Sequence, residues 1–134
     1  MAAQLEQKTV DLLNQPNFAH LSSHRADGTI QNVVVWLGVT DDGAIFVNSA
    51  EGRAWPANVE RDPRVTISVH NSENPYEFAS ITGRVTGRDT ENGDADIDAL
   101  ALKYMGAESY PFRQDGEVRV TFTIEPDRVT HRGA

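Results

Sequence analysis

Two Asp-Gly turns near the start of the chain constrain its fold more than any other feature of the sequence. Asp27-Gly28 and Asp42-Gly43 separate three segments rich in apolar residues, at residues 18–24, 30–39 and 44–48. Asp-Gly is a strong signal for the tight turn that joins two antiparallel strands. The three segments are therefore predicted to form an antiparallel meander.

Three further strands follow without the regular strand-helix alternation of a parallel sheet. Residues 65–70 and 118–124 alternate between apolar and polar side chains, as strands with one buried face do. Residues 76–88 form a longer strand, in which Gly83 and Gly87 indicate the bulges that small barrels need. The prediction is a mostly β, six-stranded antiparallel barrel with peripheral α-helices, in one domain over residues 1–134.

Two or three helices are predicted around the barrel. Residues 4–14 have leucines on one face, and this helix is expected to cover one end of the barrel. A short helix begins near Arg53, has Pro56 in its first turn and ends at Asp62-Pro63. A third helix begins at residues 90–92 and places apolar residues from Ile97 to Tyr104 on one face.

The charge and composition of the chain limit its partners. Lys and Arg total 12 against 20 Asp and Glu, and the formal net charge of −8 disfavours nucleic acid and anionic lipid. Without cysteine there is no thiol nucleophile or thiolate metal site. No apolar stretch approaches the roughly 18 residues of a membrane span, and no signal segment is present. These observations predict a cytoplasmic protein.

The histidines and aspartates are not predicted to bind a metal ion. His20 and His24 are four residues apart on a strand, a separation of about 13 Å, which is too far for one ion. Asp94-x-Asp96-x-Asp98 has the spacing that begins a calcium loop. Ala99 and Met105, however, stand where that loop needs Gly and Glu.

Residues 44–66 combine features of an anion-binding site. A strand ends at Asn48-Ser49, a polar turn follows, and a helix begins near Arg53. Backbone N–H groups and the positive end of the helix dipole point outward at such a start, and Arg53 adds a charge-assisted donor. Because many strand-helix junctions share these features, an ordinary junction is the alternative.

Residues 33–37, with the sequence Val-Val-Val-Trp-Leu, are apolar on both faces of the second predicted strand. One face belongs to the barrel core, and the other needs a separate cover. A helix or second subunit is one cover and a flat cofactor ring is another, and the two coexist at a subunit interface. We expect a homodimer, because so short a chain cannot bury both a core and a large closed cavity.

The same segments resemble a known family. The resemblance rests on an ordered set of motifs: residues 19–36, Asn48-Ser49, Arg53-x-Trp55, Asn58-Val59, Arg61-Asp62-Pro63-Arg64-Val65 and Thr82-Gly83-Arg84-Val85. This set resembles the pyridoxamine-phosphate-oxidase-like flavoproteins, and especially their actinobacterial branch, which binds the deazaflavin coenzyme F420. The likeness covers most of residues 4–130 and implies a split β-barrel.

The resemblance also implies a set of site residues. In the family, the cofactor ring lies along strand two and the phosphate lies at the turn after strand three. The implied cofactor contacts are Asn32, Val33, Val34, Val35, Asn48, Ser49, Arg53, Trp55, Pro56 and Asn58. Trp36 is a candidate substrate contact, and Tyr104 and Tyr110 are candidate proton donors. The family commonly has Lys where this chain has Trp55, which leaves Arg53 as the main charge.

The resemblance implies a reaction whose chemistry the cofactor carries. The sequence lacks the motifs of phosphate-binding loops, serine hydrolases and zinc hydrolases, which a cofactor-based reaction does not need. The chain ends at VTHRGA without the Arg- and Trp-rich segment of pyridoxamine-phosphate oxidases. We therefore expect F420-dependent hydride transfer to a small electron-poor acceptor, such as a quinone, enone or tetrapyrrole. An FMN-dependent oxidoreductase and a non-catalytic carrier of a cofactor or tetrapyrrole are the alternatives.

Overall fold

Seven strands and three helices make up residues 4–133, the part of the chain that the computed structural model describes. The strands are β1 (Ala19–His24), β2 (Ile30–Val35), β3 (Leu37–Val39), β4 (Ile45–Ala50), β5 (Arg64–His70), β6 (Phe78–Asp89) and β7 (Arg119–Arg132). The helices are α1 (Gln7–Asn14), α2 (Ala54–Arg61) and α3 (Gly93–Met105). All strand pairs are antiparallel, in the order β2-β1-β5-β6-β7-β4-β3. The split-barrel class is confirmed; residues 1–3 and 134 of the predicted domain lie outside the described residues.

The predicted count of six strands is wrong because the second predicted strand is two strands. β2 and β3 are separated by Trp36 alone and lie at opposite ends of the strand order. Val35 pairs with Ala19 of β1, whereas Leu37 pairs with Val47 of β4. The chain thus passes from one edge of the curled sheet to the other within one residue.

Strand periodicity and glycine positions account for much of the barrel. β5 buries Val65, Ile67 and Val69 and exposes the residues between them, as the alternation predicted. The pairing of β6 with β7 shifts register at Gly83 and again at Gly87, which confirms the predicted bulges. A side chain at Gly83 would collide with the carbonyl group of Glu125, so the two strands approach closely there.

β7 is 14 residues long, twice the predicted length, and pairs with both β4 and β6. Val120 and Phe122 face the barrel core. Arg119 and Thr121, on the other face of the strand, are buried as well. α3 covers them, since the Thr121 hydroxyl donates to Asp96 of α3 at 2.6 Å. The face of β7 that alternation predicted to be solvated is therefore a second buried layer.

α1 covers one end of the barrel, where Leu12 and Leu13 join the core. A chain of hydrogen bonds that we call the α1 clamp, formed by Thr9, His131 and Glu77, holds the helix there. Thr9 Oγ1 lies 2.9 Å from His131 Nδ1, and His131 Nε2 lies 2.9 Å from Glu77 Oε2. None of the helices in residues 4–133 combines the length and the apolar character needed to cross a membrane.

Candidate active site

A cleft of about 190 Å³ lies between the β2–β3 junction, the end of β4, the start of α2 and the start of β7. Eight residues that the sequence analysis singled out line this cleft: Val34, Val35, Trp36, Asn48, Ser49, Arg53, Trp55 and Tyr110. Ile97, Phe112 and Arg119 complete its lining. Apolar and aromatic surface is thus combined with two cations, as in pockets that bind a ring with an anionic group.

Ser49 lies near the end of β4 and is 1% exposed. Its hydroxyl has no hydrogen-bond partner among residues 4–133, although all other buried side-chain polar atoms there are paired. An unpaired buried polar group costs about 1–3 kcal/mol. Ser49 also lines the cleft, and its hydroxyl is therefore a candidate contact for a ligand.

Arg53 stands at the N-cap position of α2, with an extended backbone conformation. No side chain of the described residues caps the first turn of this helix. The Arg53 side chain is 52% exposed, and its nearest carboxylate is Glu117, with Nη2 and Oε2 4.0 Å apart. An uncapped helix start and a half-exposed cation thus lie in the same cleft as Ser49.

Arg119 is the site residue that the sequence analysis missed. It is 4% exposed, its Nε donates to Asn48 Oδ1 at 2.9 Å, and its Nη1 donates to Glu117 Oε1 at 2.9 Å. The guanidinium also lies over the Tyr110 ring, 4.9 Å from its centroid. The alternation along β7 predicted that Arg119 would face solvent. Nothing in the neighbouring sequence indicates that α3 buries this face of the strand.

Asn48 positions this buried arginine. Its Nδ2 donates to the Gly93 carbonyl oxygen at 2.9 Å and to Thr121 Oγ1 at 3.1 Å. With its carbonyl oxygen occupied by Arg119, the Asn48 amide is fully engaged within the protein. Asn48 thus lines the cleft as a support for Arg119, whereas Ser49 offers a free group to a ligand.

The aromatic side of the cleft is built on Trp36. Its ring stacks on Tyr104 with centroids 5.3 Å apart and meets Tyr110 edge-on at 6.1 Å. The Tyr104 hydroxyl donates to the Asn17 carbonyl oxygen at 2.7 Å and accepts from the Leu37 N–H at 3.2 Å. Burial also raises the pKa of Tyr104. Tyr104 therefore supports Trp36 from behind, and of the two candidate proton donors Tyr110 is the one that lines the cleft.

Four of the implied cofactor contacts lie outside the cleft. Asn32 donates to Ser22 Oγ at 2.9 Å on the outer face of the sheet, and Val33 packs against the core. Asn58 is buried and donates to Ser23 and Gln31, so it holds α2 on the sheet. Pro56 lines an adjoining cleft of about 320 Å³ that shares Arg53 with the first.

A larger cleft of about 610 Å³ lies beside the Asp42-Gly43 turn and β7. Its charged lining residues are Asp42 and Glu125, and neither an aromatic nor a basic side chain lines it among the described residues. It therefore does not suit an anionic ring compound. The smaller cleft is the candidate active site because its lining has the matching chemistry.

Comparisons with known proteins agree with this fold. Among solved structures, an F420 reductase has a TM-score of 0.83 and 25% identity, over 94% of this chain and 98% of that chain. A conserved hypothetical protein from Mycobacterium tuberculosis has a TM-score of 0.76 and 18% identity, over 98% of this chain and 86% of that one. HupZ from Group A Streptococcus has a TM-score of 0.68 and 19% identity, over 96% and 94% of the two chains.

The last two structures show likeness of fold alone, because their identity with this chain is so low. None of the curated proteins compared with the chain matches it. The family model described as pyridoxamine 5'-phosphate oxidase matches residues 5–133, nearly the whole chain. The chain therefore belongs to the pyridoxamine 5'-phosphate oxidase family.

Proposed function

We propose that this protein is an oxidoreductase that uses coenzyme F420 to reduce a small electron-poor acceptor, of the quinone, enone or tetrapyrrole type. The observation that carries the proposal is one cleft that holds both Arg53, at the start of α2, and the Ser49 hydroxyl. Among residues 4–133, no side chain caps that helix start and none pairs with that hydroxyl. The likeness to a protein named F420 reductase, at 25% identity over most of both chains, supports the choice of cofactor.

The residues of the cleft fit such a cofactor. Ser49, Arg53 and the first N–H groups of α2 would hold its phosphate. All are donors, and among the described residues no side chain caps the helix start or pairs with the Ser49 hydroxyl. Val34 and Trp36 would hold its ring on their apolar surfaces. When bound, a reduced deazaflavin supplies a hydride to an electron-poor carbon.

The protein's own contribution is binding, orientation and the exclusion of water. Trp36 stacks on Tyr104, which supports one wall of the cleft from behind. Phe112 is 61% exposed at the rim, where it would pack on an acceptor bound over the ring. The Tyr110 hydroxyl is the proposed proton donor, with solvent as the other source of that proton.

We further propose that two copies of the chain complete the site. Pockets for small ligands usually measure about 300–1,000 Å³, whereas the cleft of one chain measures about 190 Å³. Val34 and Phe112, which line it, are 60% and 61% exposed. A partner chain packed beside this apolar rim would deepen the cleft. Light scattering should give a dimer mass at micromolar concentration, and a monomer mass would contradict this proposal.

Titrating the purified protein with F420 and with FMN, followed by fluorescence, tests the cofactor. We expect micromolar or tighter binding of F420 and weaker binding of FMN. The FMN arm is needed because the family match alone is compatible with either cofactor. Micromolar binding of FMN without binding of F420 would overturn the choice of F420.

Catalysis needs a separate measurement. Reduced F420 should be oxidised in the presence of the protein when a quinone or enone is added, and at a lower rate with an Arg53→Ala variant at subsaturating cofactor. A protein that binds F420 but oxidises it with no member of a broad acceptor panel would be a carrier, and the proposal of an oxidoreductase would be wrong.

A further inference from the structure

Resting on the proposed function, we infer that this cleft selects the charge of the cofactor phosphate. It accepts a singly charged phosphodiester in preference to a doubly charged terminal phosphate. F420 carries its phosphate as a diester and FMN carries it as a terminal monoester. The inference thus supplies a physical reason for discrimination between two cofactors whose rings have nearly the same shape.

The selecting group is Glu117, which is shared by both arginines of the cleft. Its Oε1 accepts from Arg119 Nη1 at 2.9 Å, and its Oε2 lies 4.0 Å from Arg53 Nη2. The side chains of Glu117 and Arg119 are 8% and 3% exposed, so their charges compensate each other away from water. Among the three groups, one positive charge remains for a ligand, and Arg53, at 52% exposure, is free to turn toward it.

The surroundings do not add positive charge to the cleft. Two flanking clusters each hold one arginine between two carboxylates: Arg88 with Glu51 and Glu60, and Arg113 with Asp94 and Asp98. The first cluster lines the adjoining cleft that shares Arg53. The second supports the aromatic wall, because Asp98 accepts the Tyr110 N–H at 2.8 Å. Each cluster has a net negative charge, which disfavours a second charge on the ligand.

A terminal phosphate loses its second proton with a pKa of about 6 and is doubly charged at neutral pH. In this cleft its second charge would have no matching cation, because Glu117 already compensates the charge of Arg119, and an unbalanced charge in a partly buried site is costly. A phosphodiester has one charge at every pH of interest. Arg53, the Ser49 hydroxyl and the N–H groups of α2 are sufficient to balance it.

The test keeps the ring constant and changes only the phosphate charge. The probes are the 5′-phosphate monoester of the F420 deazaflavin and the methyl diester of the same phosphate, with F420 as the positive control. At a pH above 7 the native protein should bind the diester about tenfold more tightly than the monoester. Below the second pKa of the phosphate, about 6, the difference should shrink, because the monoester then carries one charge.

Glu117→Gln keeps the size of the side chain and removes its charge, so the monoester should gain about tenfold relative to the diester. Glu73→Gln, at an exposed turn, makes the same change in net charge elsewhere and should leave the ratio unchanged. Melting temperatures identify any loss of fold in Glu117→Gln. The native pH dependence tests the inference without that variant.

Tighter binding of the monoester by the native protein would overturn the inference and leave the proposed function intact. An unchanged ratio in a folded Glu117→Gln protein would also overturn it. Failure of F420 itself to bind would overturn the proposed function, and the inference with it.

Discussion

At the end of the barrel covered by α1, the hydroxyl of Thr9, the ring of His131 and the carboxylate of Glu77 are joined by two hydrogen bonds of 2.9 Å. At the candidate active site, the equally buried Ser49 hydroxyl has no partner among the described residues, and Arg53 is half exposed. Both regions place polar groups away from water. Burial alone therefore does not identify a site: a paired group stabilises the fold, whereas an unpaired one is available to a ligand.

The comparison predicts the largest effect for His131→Ala in the α1 clamp. The change removes two hydrogen bonds and leaves Thr9 without its partner, so the free energy of unfolding should fall by about 2–4 kcal/mol. F420 affinity should not change. Denaturant unfolding measures the loss, and Arg132→Ala, the exposed neighbour, is the control. A His131→Ala protein as stable as its parent would remove the structural half of the comparison.

Arg53→Ala should have the opposite effects to His131→Ala: F420 affinity should fall and stability should be kept. Loss of a charge-assisted contact should reduce F420 affinity by about 1.5–3 kcal/mol, or roughly 10- to 150-fold. Stability should change little, because the side chain is 52% exposed. Arg53→Lys should recover only part of the affinity, since an ammonium cannot reproduce the guanidinium fork. Added salt should weaken the native protein more than Arg53→Ala.

The control for Arg53 has to be chosen from the structure. Arg61, on the same helix, is exposed, yet its Nη2 donates to the His24 carbonyl oxygen and to Asn58. Arg64, whose side chain is 70% exposed and pairs with Asp62, is better matched. If Arg64→Ala weakened F420 as much as Arg53→Ala, the effect would reflect net charge and the assignment of Arg53 would be wrong.

The local sequence predicts the turns, the end of α2 and the proximity of Ser49 and Arg53. The Asp-Gly turns place Gly28 and Gly43 at positive φ angles of 88° and 87°, and Asp62-Pro63 follows the last helical residue of α2. Ser49 and Arg53 lie in one cleft because four residues of a strand-turn-helix junction cannot separate them widely. Features that depend on packing between distant segments had no such signal.

The strand partners around Trp36 and the contacts of Asn58 could not be predicted from the sequence. Trp36 ends one strand pairing and begins another, but its apolar neighbours look the same whichever partner they have. Asn58 occupies a motif position on α2, yet its amide turns to Ser23 and Gln31, which are far away in sequence. Contacts of this kind are set by the tertiary arrangement, as is the burial of Arg119 beneath α3.

Ser49→Ala should affect stability and F420 affinity in opposite directions. Removing an unpaired buried hydroxyl should leave stability unchanged or raise it by up to about 1 kcal/mol. F420 affinity should fall by about 0.5–1.5 kcal/mol, the usual contribution of one hydrogen bond. Thermal unfolding and the F420 titration measure the two. A clear loss of stability would mean that the hydroxyl has a partner in the folded protein.

The smallest effect concerns pH. Hydrogen bonds from Asn71 and from His131 lower the pKa of the Glu77 carboxyl. Because the folded protein binds this proton more weakly than the unfolded chain, the stabilisation is complete above the unfolded pKa and is lost as the pH falls through the folded pKa. In Glu77→Gln, the melting temperature should therefore fall less steeply as the pH is lowered into the acid range. An unchanged acid dependence of the melting temperature would show that other carboxyl groups determine it.

The chain passes from β2 to β3 through one residue, and this connection affects the order in which the strands pair during folding. β7 is the strand that links β6 to β4, so without it the sheet separates into a four-stranded piece and the β3–β4 hairpin. Trp36 ties these pieces together from the start, but their hydrogen bonding waits for residues 119–132. We expect slow folding dominated by distant contacts. On the ribosome, most of the barrel should remain open until its last strand emerges.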